Sequence, residues 1–179
     1  MEKRMIGFGD FMVRLSPPGY ERFIQASHFA VNYTGAEANV CVALAHMGMK
    51  TGFVTRLPDN DISHAGIAEL RKHGVGTEQV VFGGDRIGVF YLEKGAAQRP
   101  SKIVYDRKYT SVATGGSECY NWNEIFRGGS WFHLTGITPA LSKTIPAVCI
   151  NACRKAREMG LTVSLDLNYR KNLWTPAEA

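Results

Sequence analysis

No run of about 18 apolar residues occurs in this sequence, so nothing in it reads as a membrane-spanning helix. The opening Met1-Glu2-Lys3-Arg4 leads into a short apolar stretch broken by Gly7, Gly9 and Asp10, which is not a secretory signal. Cysteine is scarce: Cys41, Cys119, Cys149 and Cys153 form no Cys-x-x-Cys pair and no Cys/His cluster at zinc spacing. The expectation is therefore reduced, buried thiols in a cytoplasmic protein, with Cys149 and Cys153 facing one way on a predicted helix. A basic stripe is missing too. The 21 Lys+Arg outnumber the 16 Asp+Glu only modestly, giving a formal charge of +5, and the densest basic clusters are Arg71-Lys72-His73 and Arg107-Lys108. That dispersal argues against nucleic acid and suits a small anion such as a phosphate or a sugar acid. No Gly-x-x-x-x-Gly-Lys-Ser/Thr loop is present, which excludes a P-loop. Gly7-Phe8-Gly9 begins like a dinucleotide fingerprint, but Met12 stands where the third glycine belongs and no helix follows.

What remains is a composition with 45% hydrophobic and 21% charged residues, too apolar for a disordered chain and sufficient for one sizeable core. Residues 4–16 read as one strand running to the Pro17-Pro18-Gly19 turn, and residues 22–33 as one or two extended segments. Gly35 precedes a helix with Val40, Leu44 and Met47 on one stripe, ended by Gly48. A strand over 50–56 follows. A helix capped by Asp59 or Asp61 then runs through Ile67 and Leu70 to Gly74. Strand, helix, strand, helix is the signature of a parallel α/β sheet. The alternation breaks at residues 86–93 and 101–107, which read as an antiparallel hairpin lying outside the main sheet. It resumes with a strand at 130–134, a helix bearing Ile145, Val148, Ala152, Ala156 and Met159, and a strand at 161–166, before Pro176 at the start of a further predicted helix.

Three groups of polar residues stand out. Thr34-Gly35-Ala36-Glu37-Ala38-Asn39 sits at a loop-to-helix junction, where free backbone N–H groups and a glycine admit a polar ligand, or where a helix merely packs closely. Tyr91, Tyr105 and Arg107 lie on the hairpin. Tyr105 and Arg107 share a face by their spacing of two, and two phenols with a guanidinium suit a hydroxylated acid, the plain alternative being a solvated strand face. Asp166-Leu167-Asn168-Tyr169-Arg170 closes a buried-type strand, the end of an open sheet at which ligands bind, although Asp and Asn also serve turns. His133, within an apolar strand, reads as a hydrogen-bonded core residue.

In order and spacing these segments resemble the ribokinase-like (PfkB-type) carbohydrate kinases, and among them the 2-keto-3-deoxygluconate kinases. The resemblance is carried by Gly9-Asp10, Gly35 to Gly48, the Gly74-Val75 turn and Gly88-Val89-Phe90-Tyr91. It continues through Tyr105-Asp106-Arg107, His133 to Leu141, and Asp166 to Trp174, so it covers essentially the whole chain. It implies a three-layer α/β/α domain with a small β-sheet lid from about residues 11–33 and 86–110, ATP and Mg2+ as cofactors, and a homodimer formed through the lid or an exposed sheet edge. It further implies that Asp10, Gly35 and Asn39 hold sugar hydroxyls and that Tyr91, Tyr105 and Arg107 contact a sugar acid. Ile137 would line the site, and Arg170 would face the carboxylate or the transferring phosphate. Asp166 and Asn168 would lie toward the nucleotide phosphates and the metal's water shell.

Thr34 replaces a usual glycine, Leu167 stands where Asp-Pro-Asn is usual, and Leu57-Pro58-Asp59-Asn60-Asp61 lacks a glycine before its acidic turn. The family's Gly-Ala-Gly-Asp segment, with the anion hole and catalytic base, is not found after Arg170, so these residues alone are expected to bind sugar without phosphorylating it. Fructokinase-like or ribokinase-like specificity, and a non-catalytic sugar-binding module, are the alternatives.

Overall fold

The computed structural model describes residues 3–179. The chain begins with strands β1 (Arg4–Phe8), β2 (Met12–Ser16) and β3 (Ala30–Thr34), followed by helix α1 (Ala36–His46). Strands β4 (Lys50–Val54) and β5 (Arg56–Leu57) lead to helix α2 (Asp61–Lys72) and the short strands β6 (Val75–Gly76) and β7 (Val81–Phe82). The hairpin strands β8 (Gly88–Glu93) and β9 (Lys102–Asp106) precede the short helices α3 (Ser111–Thr114) and α4 (Trp122–Ile125). Strand β10 (Trp131–Thr135), helix α5 (Ile145–Glu158) and strand β11 (Thr162–Asp166) complete the order.

Five strands form a wholly parallel sheet in the order β11-β10-β1-β4-β6. Alternation along its strands feeds two cores, because successive side chains leave opposite faces. Ile6, Phe8 and Val54 point into one cluster with Phe132, Leu134, Trp122, Phe126 and the buried face of α5. Met5 and Phe53 point into the other, with Ala38, Cys41, Ile67 and Leu70 of α1 and α2. The result is the three-layer α/β/α arrangement. In the first core, aromatic edges meet faces: Phe8 lies 5.1 Å from Tyr120 and 5.3 Å from Trp122, and Phe126 lies 5.0 Å from Phe132.

The second sheet has the order β3-β2-β8-β9, with β2 antiparallel to β3, parallel to β8, and β8 antiparallel to β9. The 86–107 hairpin thus pairs with early strands, outside the central sheet. Strands β5 and β7 form a separate two-stranded parallel pair.

Several local expectations require correction. Residues 4–16 are not one strand: the chain breaks at Gly9-Asp10-Phe11, and β1 and β2 enter different sheets. Of residues 22–33 only the end belongs to a strand, since residues 22–26 form a turn closed by Gln25 N donating to the Arg22 carbonyl at 2.9 Å. The predicted 50–56 strand is interrupted at Thr55 and continues as β5. Helix α1 buries Glu37, Ala38 and Cys41, whereas Met47 is 76% exposed. Its sequence is apolar almost all round, so periodicity could not single out the inward face. Helix α2 is capped by Asn60, whose side chain accepts from Ser63 N at 3.0 Å, rather than by Asp59 or Asp61. Pro176 opens no helix; residues 175–178 form a turn in which the Glu178 carboxylate accepts from Thr175 N and Oγ1. All four cysteines are free, and burial pushes Cys149 up to about 12, which makes it a poor nucleophile.

Phe132 is fully buried between α4 and α5. Phe132→Ala is expected to lower the free energy of unfolding by about 3–5 kcal/mol in urea denaturation at unchanged slope. A loss under 1 kcal/mol would show that this core is not formed as described.

Candidate functional site

In a parallel sheet all carboxyl ends lie at one edge, and ligands enter where neighbouring strands send their connections in opposite directions. Here that place lies between β1 and β10. The chain runs from β1 outward to β4 and β6 on one side, and from β10 to β11 on the other. The segments leaving these ends are Gly9-Asp10 after β1, Gly136 to Thr138 after β10, and Leu167 to Arg170 after β11.

The second sheet is joined to this crevice by an ion pair. Arg107, one residue past β9, places Nη2 3.1 Å from Asp10 Oδ2, with side chains only 10% and 4% exposed. Apart from this pair and the Phe11 backbone N–H, which also pulls the Asp10 carboxyl down, Arg107 Nε and the Asp10 carboxylate are poorly satisfied by the protein. Buried polar atoms left unpaired in this way are the atoms a polyhydroxy ligand satisfies. Burial pushes the Asp10 carboxyl above its usual 3.8, and the Arg107 charge offsets only part of that rise. Gly35, at the N-terminus of α1, packs on the Asp10 carbonyl so closely that any Cβ there would collide with it.

Arg107 also forms one wall of a cleft of about 530 Å³ lined by Tyr105, Lys108, Tyr169, Arg170, Lys171, Asn172 and Leu173. Four cations and two phenols line this space with no carboxylate among them, an arrangement that attracts an anion and can donate to several of its oxygens. The Arg107 guanidinium lies 5.5 Å from the centroid of the Tyr105 ring, and Phe90 lies 5.6 Å from the same ring. Arg170 is exposed, and its Nη1 donates to the carbonyls of Asn168 and Tyr169 at 3.3 and 3.1 Å. Asp166 Oδ1 accepts from Asn168 N at 3.0 Å, which builds the turn that presents Arg170.

Of the residues expected at the site, Tyr105, Arg107 and Arg170 meet in this cleft, Asp10 and Gly35 stand behind Arg107, and Ile137 lies in the turn after β10. Tyr91 does not share their face. The hairpin register pairs Tyr105 with Phe90 and Tyr91 with Val104, so Tyr91 points to the opposite side, where it packs on Phe23 and Phe29. Asn39 lines a separate groove of about 310 Å³ with Asn32, Tyr33 and Glu69, and accepts from Thr34 Oγ1 at 3.0 Å. His133 is half-buried and hydrogen-bonds Ser164 Oγ at 2.8 Å. Lys108, Lys171, Asn172 and Leu173 also line the cleft and were not expected there, and Phe90 backs Tyr105 without lining it. The spacing of two from Tyr105 and Arg107 marks the face, but only the cross-strand register identifies Phe90 as its neighbour.

The family model described as pfkB family carbohydrate kinase matches residues 3–179. The chain superimposes on the crystal structure of a 2-dehydro-3-deoxygluconokinase from Thermotoga maritima with a TM-score of 0.97 at 47% identity, covering 99% of this chain and 54% of that one. It is 38% identical to a 2-dehydro-3-deoxygalactonokinase of Haloferax volcanii over 100% of this chain and 56% of the relative. It is 27% identical to a 2-dehydro-3-deoxygluconokinase of Bacillus subtilis, over 97% and 54% respectively. The chain thus spans about half the length of the relatives it matches.

Arg107→Met leaves the Asp10 carboxyl buried without its counter-charge. It is expected to cost about 3–5 kcal/mol in urea unfolding at pH 7, most of it recovered by adding Asp10→Asn. Because the folded carboxyl titrates above 3.8, its contribution to stability is complete below that pH and is lost as pH climbs through the raised value. The deficit of Asp10→Asn relative to wild type should therefore narrow with rising pH; a deficit that widens would contradict the assignment.

Proposed function

The chain belongs to the pfkB family of carbohydrate kinases, and we propose that it carries the sugar-acid recognition part of a kinase for 2-keto-3-deoxygluconate or its C4 epimer. The observation that carries this reading is the cleft in which Arg107 and Arg170 face a common space with Tyr105 and Tyr169. Arg107 already has Asp10 as its counter-charge, so the charge left to neutralise is that of Lys108, Arg170 and Lys171, and a carboxylate can accept two parallel hydrogen bonds from the Arg170 guanidinium, which a neutral sugar cannot do. The Tyr105 hydroxyl suits a hydroxyl further along the ligand.

The reaction proposed for the whole protein is transfer of the ATP γ-phosphoryl group to a sugar hydroxyl, in a cytoplasmic setting. When bound, ATP supplies the phosphoryl group and Mg2+ neutralises its charge. The cationic donors on the cleft suit those phosphates: Arg170 and Lys171 would hold them, with Asp166 and Asn168 toward the metal's water shell. Among the described residues no group of three His, Cys, Asp or Glu side chains is placed to hold a metal ion. The chain's own work is to orient the sugar acid by its carboxylate and to hold the accepting end near Arg170. No side chain lining the cleft is a carboxylate or histidine suited to take the hydroxyl proton, so these residues by themselves are not expected to turn over. Association of two copies belongs to the same reading, since Val31 and Val104 on the second sheet are exposed.

Titration calorimetry tests the proposal. The chain is expected to bind 2-keto-3-deoxygluconate or the C4 epimer at least tenfold more tightly than fructose or ribose, and Arg107→Lys to lose most of that margin. Equal or tighter binding of fructose or ribose would move the assignment to the neutral-sugar kinases.

A further inference from the structure

Glu37 is 1% exposed, yet neither the cleft nor the ion pair uses it. It stands in the first turn of α1, two residues past Gly35. Its Oε1 accepts from three donors that all come from the end of β10: Thr135 N at 3.0 Å, Thr135 Oγ1 at 2.9 Å and Thr138 Oγ1 at 2.7 Å. Thr135 Oγ1 accepts in turn from Ile137 N at 3.3 Å, so the whole 135–138 turn takes its shape around this carboxyl group. On its other side the carboxyl fills the space beside Gly9, where any Cβ would collide with it.

From this point, contacts run to both walls of the cleft. Gly9 is bonded to Asp10, which holds Arg107. Gly136, within the turn that Glu37 shapes, donates its N–H to the Asp166 carbonyl at 2.8 Å, and Asp166 opens the segment bearing Tyr169 and Arg170. A buried carboxyl is expensive, and a well-packed apolar side chain of similar volume is commonly no less stable once its donors are removed as well. Bulk stability is therefore a poor account of why a carboxyl occupies this point, whereas fixing three chain segments in register is a task that needs a multiple acceptor.

We infer that Glu37 is a positioning residue that sets the separation of the Arg107 and Arg170 walls, and with it the length of ligand they hold between them. The inference rests on the sugar-acid reading of the cleft. Glutamine keeps the acceptor oxygen and the volume. Burial pushes the Glu37 carboxyl above its usual 4.5, against the pull of the threonine hydrogen bonds.

The test compares wild type, Glu37→Gln and the triple variant Glu37→Met/Thr135→Val/Thr138→Val, in which the orphaned hydroxyls are removed with the acceptor. Thermal unfolding, calorimetry with 2-keto-3-deoxygluconate and ligand-free hydrogen exchange over residues 166–174 are measured on each. Glu37→Gln is expected to bind within about threefold of wild type. The triple variant is expected to unfold near the wild-type temperature yet bind at least tenfold more weakly, with exchange over 166–174 at least tenfold faster. A triple variant that matches wild type in affinity and exchange would overturn the inference, as would one that loses its fold while Glu37→Gln binds tenfold more weakly. Should wild type bind no sugar acid, the sugar-acid reading fails by itself, and unchanged exchange over 166–174 would then overturn the role given to Glu37.

Discussion

The nearly buried ion pair between Asp10 and Arg107 is the constraint on which the arrangement depends. It joins the residues that leave β1 to the residue that leaves β9, and so fixes the second sheet over the carboxyl edge of the first. Two charges taken out of water recover their desolvation only when geometry is good and the remaining donors and acceptors are met. Here several of those atoms are unmet by protein. A pair that is costly to bury and incompletely satisfied is poor mortar but a suitable receptor, because a ligand rich in hydroxyls supplies what the protein leaves out.

The electrostatics of the cleft follow from the same junction. Asp10 is paired with the Arg107 guanidinium, while Lys108, Arg170 and Lys171 line the same open space with no acid among the lining residues. An uncompensated positive field of this kind concentrates anions and favours those that present a charge at one end and hydroxyls along their length. The sugar acids named for the Thermotoga and Haloferax relatives have that form, and the likeness in fold and sequence to those proteins agrees with the local chemistry.

Much of the fold was legible because strand alternation and helix stops are local signals. The break in βα alternation at residues 86–107 marked the hairpin that pairs outside the main sheet. Less legible was whatever depends on register or on a neighbour distant in sequence. Tyr91 and Phe90 are adjacent aromatics, and only pairing with Val104 and Tyr105 tells which of them shares the face of Tyr105. The break of residues 4–16 at Gly9-Asp10-Phe11 shows only in pairing partners far along the chain, β1 lying between β4 and β10 and β2 between β3 and β8, which no periodicity encodes. Helix α1 is apolar almost all round, so the burial of its carboxyl group, Glu37, was not legible until its partners Thr135 and Thr138 were placed beside it.

The central claim, that Arg107 and Arg170 act together on one anionic ligand, is open to direct observation by following the side-chain Nε–H signals of arginine by NMR during addition of 2-keto-3-deoxygluconate. The account predicts that the Arg107 and Arg170 signals shift together and saturate at a single dissociation constant. Movement of one without the other, or of neither while the ligand binds elsewhere, would contradict it.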